Sequence, residues 1–196
     1  MARPQLSEVE VERFREDAAE AALRLVEEEG IPSLTLRRLA KRLGCSYAKP
    51  YSYYRNKEQL IDAVRGRGFD LLSEFMTDEL GSGAPLSGEP YLRFALENPE
   101  AFRVMFALRQ DDVSEETRQK QARAWKICAQ PIHDAVAAGE LEGDPELIAH
   151  VAWAALHGLA SLALANQLHL GKTVEEVAAG FGAVLDGFRP RAVKGE

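Results

Sequence analysis

The sequence predicts an all-helical protein that begins with a three-helix helix-turn-helix segment and continues as a larger helical bundle. Apolar residues recur at helical spacing through nearly the whole chain. Three Ser/Thr/Asn-x-x-Glu/Gln signals, which are typical of helix N-termini, stand directly before apolar stripes. No stretch alternates between apolar and polar residues as a half-buried strand would. Together these observations favour the all-α class.

The first two helices have clear start and stop signals. Ser7 and Glu10 form a capping box, and the helix that they open is ended by Gly30. Thr35 precedes a second, short helix, which Gly44 ends. The spacing therefore predicts two helices joined by a few residues.

The next two helices follow closely. Ser46 is expected to cap a third helix that runs to about Tyr53, and Pro50 should keep this helix short or bent. The segment Asn56–Gln59 has the capping-box form again, and it opens a long fourth helix at 57–80.

The rest of the chain predicts further helices separated by short turns. Pro131 is expected to kink or split one of them, because its ring removes a backbone donor. A third capping box, Thr173 to Glu176, opens the last helix. The predicted ranges are about 90–98, 99–108, 114–138, 144–168 and 173–188.

Charge is distributed very unevenly along the chain. The 24 Lys and Arg against 31 Asp and Glu give a net charge of −7, which taken whole argues against nucleic-acid binding. Residues 31–60, however, hold seven cations and one Glu (7 − 1 = +6), which leaves −7 − 6 = −13 for the remainder. The cations are Arg37, Arg38, Lys41, Arg42, Lys49, Arg55 and Lys57.

This basic segment coincides with the helix, tight turn and second helix of a helix-turn-helix, whose second helix enters the DNA major groove. Tyrosine hydroxyls and Lys ammonium groups bind phosphates, while short residues permit close approach to base edges. Ser46, as an N-cap, would leave neighbouring amides facing a phosphate. The alternative is the solvated basic face of an ordinary helical hairpin, and the turn spacing with Tyr47, Tyr51, Tyr53 and Tyr54 favours DNA binding.

Residues 34–46 (LTLRRLAKRLGCS) and 51–60 (YSYYRNKEQL) resemble the TetR family of transcription regulators, and the resemblance covers about 9–68. It implies that Thr35 touches phosphate, that one set of side chains faces the groove and that another clamps the DNA backbone. It also implies that Tyr54 and Cys45 are core residues. The groove set is Tyr47, Ala48, Lys49 and Ser52, and the backbone set is Tyr51, Tyr53 and Lys57.

The C-terminal half carries a second resemblance. Residues 91–106 (YLRFALENPEAFRVMF) are similar to a TetR subgroup with a Trp-His-Gly regulatory domain, whose namesake residues would be Trp153, His157 and Gly158. We therefore expect a DNA-binding domain at 7–56, continuing into the helix at 57–80, and a ligand-binding and dimerisation domain at 57–189.

Residues 147–171 contain no Asp, Glu, Lys or Arg, which meets the composition of a membrane span. Their Ala, His, Ser and Asn content favours a buried helix instead. Because the chain has few helices to cover it, we expect a twofold homodimer, built as a four-helix bundle with the last helix, and no membrane contact. The predicted interface is Ala152, Ala155, Leu159, Ala163, Phe181, Val184, Leu185 and Phe188.

Aromatic and sulfur-containing side chains suggest a ligand pocket, although such residues also form plain core. His157 is expected either to bond a backbone carbonyl or to point at a ligand. The candidate pocket residues are Phe75, Phe94, Phe102, Met105, Phe106, Trp125, Cys128, Trp153 and His157, with Met76 beside them.

The sequence favours a cytoplasmic, homodimeric repressor that binds a palindromic double-stranded DNA operator and is released by a small apolar or amphipathic ligand. The alternatives are a regulator without a small ligand, an activator, or a helical enzyme or interaction module. No catalytic spacing or nucleotide motif is present, so we expect neither catalysis nor a cofactor nor a metal. Cys45 and Cys128 indicate reduced thiols, and the polar N-terminus does not have the form of a signal peptide.

Overall fold

The computed structural model describes residues 7–81, 86–106, 113–168 and 172–190. These residues form helices and connecting turns, with no strand among them, which confirms the all-α prediction. In chain order the helices are α1 (Glu8–Glu29), a 3₁₀ turn (Ile31–Ser33), α2 (Leu36–Arg42), α3 (Ala48–Tyr51), α4 (Lys57–Gly81), α5 (Glu89–Glu97), α6 (Pro99–Phe106), α7 (Glu115–Ala137), α8 (Pro145–Leu164), α9 (Val174–Ala179) and α10 (Gly182–Asp186). The last two residues of the helix predicted at 99–108 lie outside the described residues.

Several helix starts follow from the caps that the sequence shows. The side-chain oxygens of Ser7 and Thr173 accept from the third helical amide. The backbone amides of the same two residues donate to the carboxylates of Glu10 and Glu176, so both capping boxes are complete. Thr35 accepts from the Arg38 amide, and Asp144 accepts from the Glu146 amide. These caps fix where α1, α2, α8 and α9 begin.

Two helix starts differ from the sequence prediction. The α3 helix begins at Ala48 with Tyr47 before it, and it has no side-chain cap, so the predicted capping role of Ser46 is wrong. At the start of α4 the Asn56 carboxamide oxygen accepts from the Gln59 amide, but the Gln59 side chain accepts from the Arg55 amide rather than from Asn56. The predicted box is therefore only half formed.

Three further differences concern helix interiors and ends. The predicted last helix is two short helices, α9 and α10, separated at Gly180. The α8 helix ends at Leu164 rather than near residue 168. Pro131, which was expected to kink or split its helix, does not split it, because it lies inside the continuous α7. A kink at Pro131 stays a prediction.

The chain divides into two compact units. The first comprises the described residues within 1–71 and 98–122, and the second comprises those within 72–97 and 123–196. This division differs from the predicted domains at 7–56 and 57–189, because residues of α4 and α7 belong to both units.

The core of the first unit is formed by α1, α2, α4 and α6, whose fully enclosed side chains include Val26, Leu39, Leu60 and Val64. Tyr54 is also buried, and its hydroxyl donates to the Arg15 carbonyl at 3.3 Å. Burial raises the pKa of Tyr54 to about 12. The structure thus agrees with the core position that the family resemblance implied for this tyrosine.

The core of the second unit lies mainly between α5 and α8, which pack against each other. Phe94 is fully enclosed and meets the Phe75 ring edge-on at 5.7 Å. Phe181 and Leu185 of the C-terminal segment are buried as well. Their burial attaches α10 to α8 within one chain.

Candidate nucleic-acid interface and ligand cavity

A tight turn joins α2 to α3. Gly44 has φ +61°, a left-handed conformation that glycine adopts at little cost, and the Cys45 amide donates to the Ala40 carbonyl at 3.0 Å. Pro50 on the inner side of α3 is buried. The turn and this proline hold α3 against α2, the arrangement of a helix-turn-helix.

The outer face of α3 and its flanks is exposed. Tyr47 and Tyr51 expose 55% and 59% of their surface, far more than an aromatic residue with a packing role. Ser46, Ala48, Lys49 and Ser52 are exposed as well. The structure therefore brings together most of the residues that the sequence predicts for DNA contact.

Aromatic rings engage two cations of this region. The Arg37 guanidinium lies 5.2 Å from the centroid of the Tyr47 ring, and the Lys49 ammonium lies 4.6 Å from that of the Phe14 ring. Phe14 also stacks against Tyr53, with centroids 4.1 Å apart. Lys49 thus leans towards α1, whereas Arg37 lies beside the recognition helix, a position that the sequence prediction did not assign to it.

Two predicted phosphate ligands flank α3. The Thr35 hydroxyl oxygen accepts from the Arg38 amide, and Thr35 is exposed. Lys57 is half-buried, and its ammonium lies 3.5 Å from the Ile31 carbonyl. An ammonium has three donors, so this weak contact leaves donors for a phosphate.

Two other cations of the basic segment are paired with the end of α1. Arg42 donates to both carboxylate oxygens of Glu28, at 2.6 and 2.5 Å, and Arg38 is paired with Glu29. The Arg42 side chain lowers the pKa of Glu28, and Glu28 in turn raises the pKa of Arg42. The sequence count of seven cations therefore overstates the positive charge that faces outward.

The second unit contains a cavity of about 70 Å³. Of the predicted pocket residues, Trp125, Cys128 and Trp153 line it, as does Met76. The remaining wall is mostly apolar and was not predicted. It consists of Leu80, Leu86, Ser87, Gly88, Pro90, Tyr91, Ala129, Pro131, Ile132, Ala149, Ala152, Leu156 and Phe181.

The other predicted pocket residues lie elsewhere. Phe75 and Phe94 pack on each other in the second unit. Phe102, Met105 and Phe106 belong to the first unit, where Phe102 and Phe106 are in ring contact with centroids 4.9 Å apart. Their aromatic and sulfur character reflects core packing there.

Two residues of the cavity wall, Tyr91 and Trp153, form a hydrogen-bonded chain with His157, which is not among the lining residues. The Trp153 indole donates to the Tyr91 hydroxyl at 3.0 Å, and this hydroxyl lies 3.0 Å from Nδ1 of His157. Burial raises the pKa of Tyr91 and lowers the pKa of His157, so both groups are held in their neutral forms. At Nδ1, His157 therefore contacts a side-chain hydroxyl and not a backbone carbonyl. It is not among the described residues that line the cavity.

The Cys128 thiol and the half-buried Trp125 indole are two further polar groups of the cavity lining. Burial raises the pKa of Cys128 to about 12, so the thiol stays protonated and unreactive at neutral pH. The Trp125 indole donates to the Glu146 carboxylate at 2.9 Å. Among the described residues, no group of His, Cys, Asp and Glu is suited to hold a metal ion.

The predicted dimer residues divide by burial. Ala152, Leu159, Phe181 and Leu185 are already covered within one chain, whereas Ala155, Ala163, Val184 and Phe188 are half-buried. A different face of α8 is exposed and apolar. It comprises Leu147, Val151, Ala154, Gly158 and Leu162.

The length and composition of α8 would suffice to cross a membrane, and 33% of its most apolar window is buried within the chain. Core helices of soluble proteins also meet this criterion. Among the described residues it is a single helix of this kind, which is weak support for a membrane protein.

Two family models match the chain. Residues 87–188, more than half of its length, match the tetracyclin repressor-like C-terminal domain, and residues 19–64 match the bacterial regulatory proteins of the tetR family. The Trp-His-Gly subgroup stays a prediction, since the C-terminal match is to a tetracyclin repressor-like domain without that description.

Known proteins and structures agree with these matches. The class D tetracycline repressor of Escherichia coli is 35% identical over 89 residues, which cover 45% of this chain and only 38% of that protein. A protein of unknown function from Rhodococcus sp. RHA1 has a TM-score of 0.77 at 26% identity, over 90% of this chain and 96% of that one. A TetR family transcription regulator from Marinobacter aquaeolei VT8 has a TM-score of 0.64 at 23% identity, over 92% and 98%. This chain belongs to the TetR family of DNA-binding transcription regulators, which are not enzymes.

Proposed function

We propose that the protein is a cytoplasmic repressor that binds a palindromic operator as a homodimer and releases it when a small molecule binds the second unit. The observation that carries this proposal is the exposed outer face of α3, which presents Tyr47, Lys49 and Tyr51 next to a tight helix-turn-helix turn. These side chains suit a major groove with flanking phosphates.

Individual residues then take distinct roles. Tyr47, Ala48, Lys49 and Ser52 face the groove, and Lys49 leaves the Phe14 ring to do so. Thr35, Tyr51, Tyr53 and Lys57 contact the phosphate backbone, and Ser46 lies between the Gly44 turn and α3. Arg37 joins the groove set, because its guanidinium already lies over the Tyr47 ring. Base contacts determine sequence preference, and phosphate contacts determine overall affinity.

The homodimer forms through the exposed apolar face of α8. The chain itself covers Ala152 and Leu159, so a partner contacts the opposite side, where Leu147, Val151 and Leu162 expose 57%, 38% and 47% of their surface. Gly158 has open space around it, which permits close approach of a second helix. A twofold dimer suits a palindromic operator, because each of its two α3 helices can read one half-site.

Release of DNA follows as a shift of population. A ligand that binds one conformation of the dimer more tightly favours that conformation, and operator affinity falls by the differential binding energy. We expect the long α4 helix to transmit the change. It begins directly after the helix-turn-helix, and its residues Met76 and Leu80 line the cavity.

Fluorescence anisotropy with the DNA upstream of the protein's own coding sequence tests the DNA-binding part. We expect salt-sensitive binding that Tyr51→Ala and Lys57→Ala weaken for every sequence, whereas Tyr47→Ala and Lys49→Ala change sequence preference. Glu140→Ala, on an exposed residue of the second unit, is the control. Absence of salt-sensitive binding to any selected duplex would contradict the proposal.

Light scattering coupled to size exclusion tests the dimer. We expect Val151→Glu and Leu162→Glu to give monomers, because a carboxylate would be buried unpaired in the interface. Leu96→Glu, which changes an exposed leucine of α5, is the matched control and should stay dimeric. Monomeric wild-type protein, or dimeric Val151→Glu and Leu162→Glu variants, would exclude this interface.

A further inference from the structure

The wall of the cavity in the second unit is uncharged. The seventeen described residues that line it include no Asp, Glu, Lys, Arg or His. We propose that this cavity binds small uncharged organic molecules of about one ring or less and excludes carboxylates and ammonium ions of the same shape. The proposal rests on the proposed function in treating the cavity as the effector site, and it narrows the effector to a neutral molecule.

The polar groups of the wall are neutral as well. Among the described lining residues they are the Tyr91 and Ser87 hydroxyls, the Cys128 thiol, and the indole N–H groups of Trp125 and Trp153. Tyr91 is engaged by Trp153 and His157, and the Ser87 oxygen accepts from the Glu89 amide at 3.3 Å. Since burial raises the pKa of both Tyr91 and Cys128, neither group becomes an anion at neutral pH. The described residues of the wall therefore offer no counter-ion to a charged ligand.

Charged groups near the wall residues are engaged outside the cavity. Arg93 of α5 is paired with Glu79 and stacks over the Phe75 ring, 5.4 Å from its centroid. The Glu146 carboxylate accepts a hydrogen bond from the Trp125 indole, and its other oxygen lies 3.3 Å from His133 Nε2. A ligand carboxylate or ammonium would thus lose its water without gaining a counter-ion, which is strongly unfavourable.

The volume limits the size of the ligand. A closed apolar cavity of about 150 Å³ holds a benzene ring, and this cavity measures about 70 Å³. A single ring therefore requires a small movement of the wall. Met76 supplies it, because a methionine side chain is unbranched and adapts to its surroundings at low cost.

The two tryptophans of the chain provide the readout. Trp125 and Trp153 are its only tryptophans, and both line the cavity, so fluorescence excited selectively at tryptophan reports on this site. The experiment titrates the full-length protein, without DNA, with benzyl alcohol, benzoate and benzylammonium, three molecules of nearly equal shape and different charge. We expect a saturable change with benzyl alcohol and a Kd at least tenfold higher for both ions.

Filling variants test whether binding occurs in this cavity. Ala129→Leu, which adds side-chain volume to the wall, should abolish the response to benzyl alcohol, and Ala122→Leu, on an exposed position of the same helix, should preserve it. Ala149→Val adds less side-chain volume to the wall and replaces Ala129→Leu in the test if that variant does not fold. Each variant is checked by thermal unfolding before titration.

The possible outcomes are decisive. The proposal is overturned if benzoate or benzylammonium binds as tightly as benzyl alcohol, if none of the three changes the fluorescence, or if a folded filling variant binds like the wild type. The upstream-DNA assay is separate, so loss of DNA binding there would contradict the proposed function and leave the ligand result standing.

Discussion

At the scale of single residues, the Tyr91 hydroxyl joins two other polar side chains of the second unit, Trp153 and His157. It accepts from the Trp153 indole and contacts His157 Nδ1, both at 3.0 Å, while Tyr91 itself is 4% exposed. The sequence placed Trp153 and His157 on one helical face four residues apart. It could not show Tyr91, which lies more than sixty residues earlier and meets them only through packing of α5 on α8.

Replacing Tyr91 by Phe should destabilise the protein by about 1–3 kcal/mol, because both hydrogen bonds disappear and buried polar groups lose this partner. Chemical denaturation of the variant and the wild type gives the difference in unfolding free energy. Tyr51→Phe removes a hydroxyl from an exposed tyrosine and should stay within about 0.5 kcal/mol of the wild type. Equal values for the two variants would show that the Tyr91 hydroxyl has no stabilising role.

His157 makes stability depend on pH. Burial lowers its pKa below the ordinary value of 6.5, so the unfolded chain binds a proton that the folded chain resists. The resulting stability is present above pH 6.5 and is lost as the pH falls through this value towards the folded pKa. Denaturation from pH 7.5 to 5.5 should show unfolding free energy decreasing, with a shallower slope for His157→Gln. A slope unchanged by that substitution would assign the pH dependence to other groups.

At the scale of helices, capping residues made most of the fold predictable and local backbone chemistry explains the exceptions. A helix capped by Ser46 would require an amide proton at Pro50, whereas a helix that begins at Ala48 places Pro50 in the first turn, where none is needed. In the last segment Gly180 and Gly182 lie two residues apart, and the entropy that each loses in a helix favours a break. The apolar stripe, which was the main sequence signal, continues across both irregularities.

The packing of α6 on α4 depends on Gly68. A Cβ at this position would lie 2.7 Å from the Cγ of buried Met105, so Gly68→Ala should destabilise the protein by about 1–3 kcal/mol despite the higher helix propensity of alanine. Unfolding curves of Gly68→Ala in the wild-type and Met105→Ala backgrounds form a double-mutant cycle. The cost should shrink in the Met105→Ala background, since the atoms that clash are gone. The same cost in both backgrounds would place the strain elsewhere.

At the scale of the whole molecule, the net charge of −7 is the sum of a basic segment and an acidic remainder, and acidic residues also lie close to the basic segment. The segment 31–60 carries +6, but Glu27, Glu28 and Glu29 directly precede it, and including them gives 7 − 4 = +3. Only the structure shows that Glu28 and Glu29 pair with Arg42 and Arg38, because these partners lie on separate helices. The acidic end of α1 therefore reduces the positive charge that the basic segment offers to DNA. The acidic remainder of the chain repels DNA in general.

Glu28→Gln should consequently strengthen DNA binding at low salt, because it releases the Arg42 guanidinium from its carboxylate partner. If Arg42 then neutralises one more phosphate, the plot of log affinity against log salt steepens by about 0.9 per contact. Anisotropy titrations across a salt series measure both quantities on specific and unrelated duplexes. Glu140→Gln removes the same charge from an exposed position in the second unit, where a purely global effect of net charge would act equally. If the Glu28–Arg42 pair weakens DNA binding, Glu28→Gln should raise the affinity and steepen the salt slope more than Glu140→Gln does. Equal effects of the two variants would show that only the net charge matters.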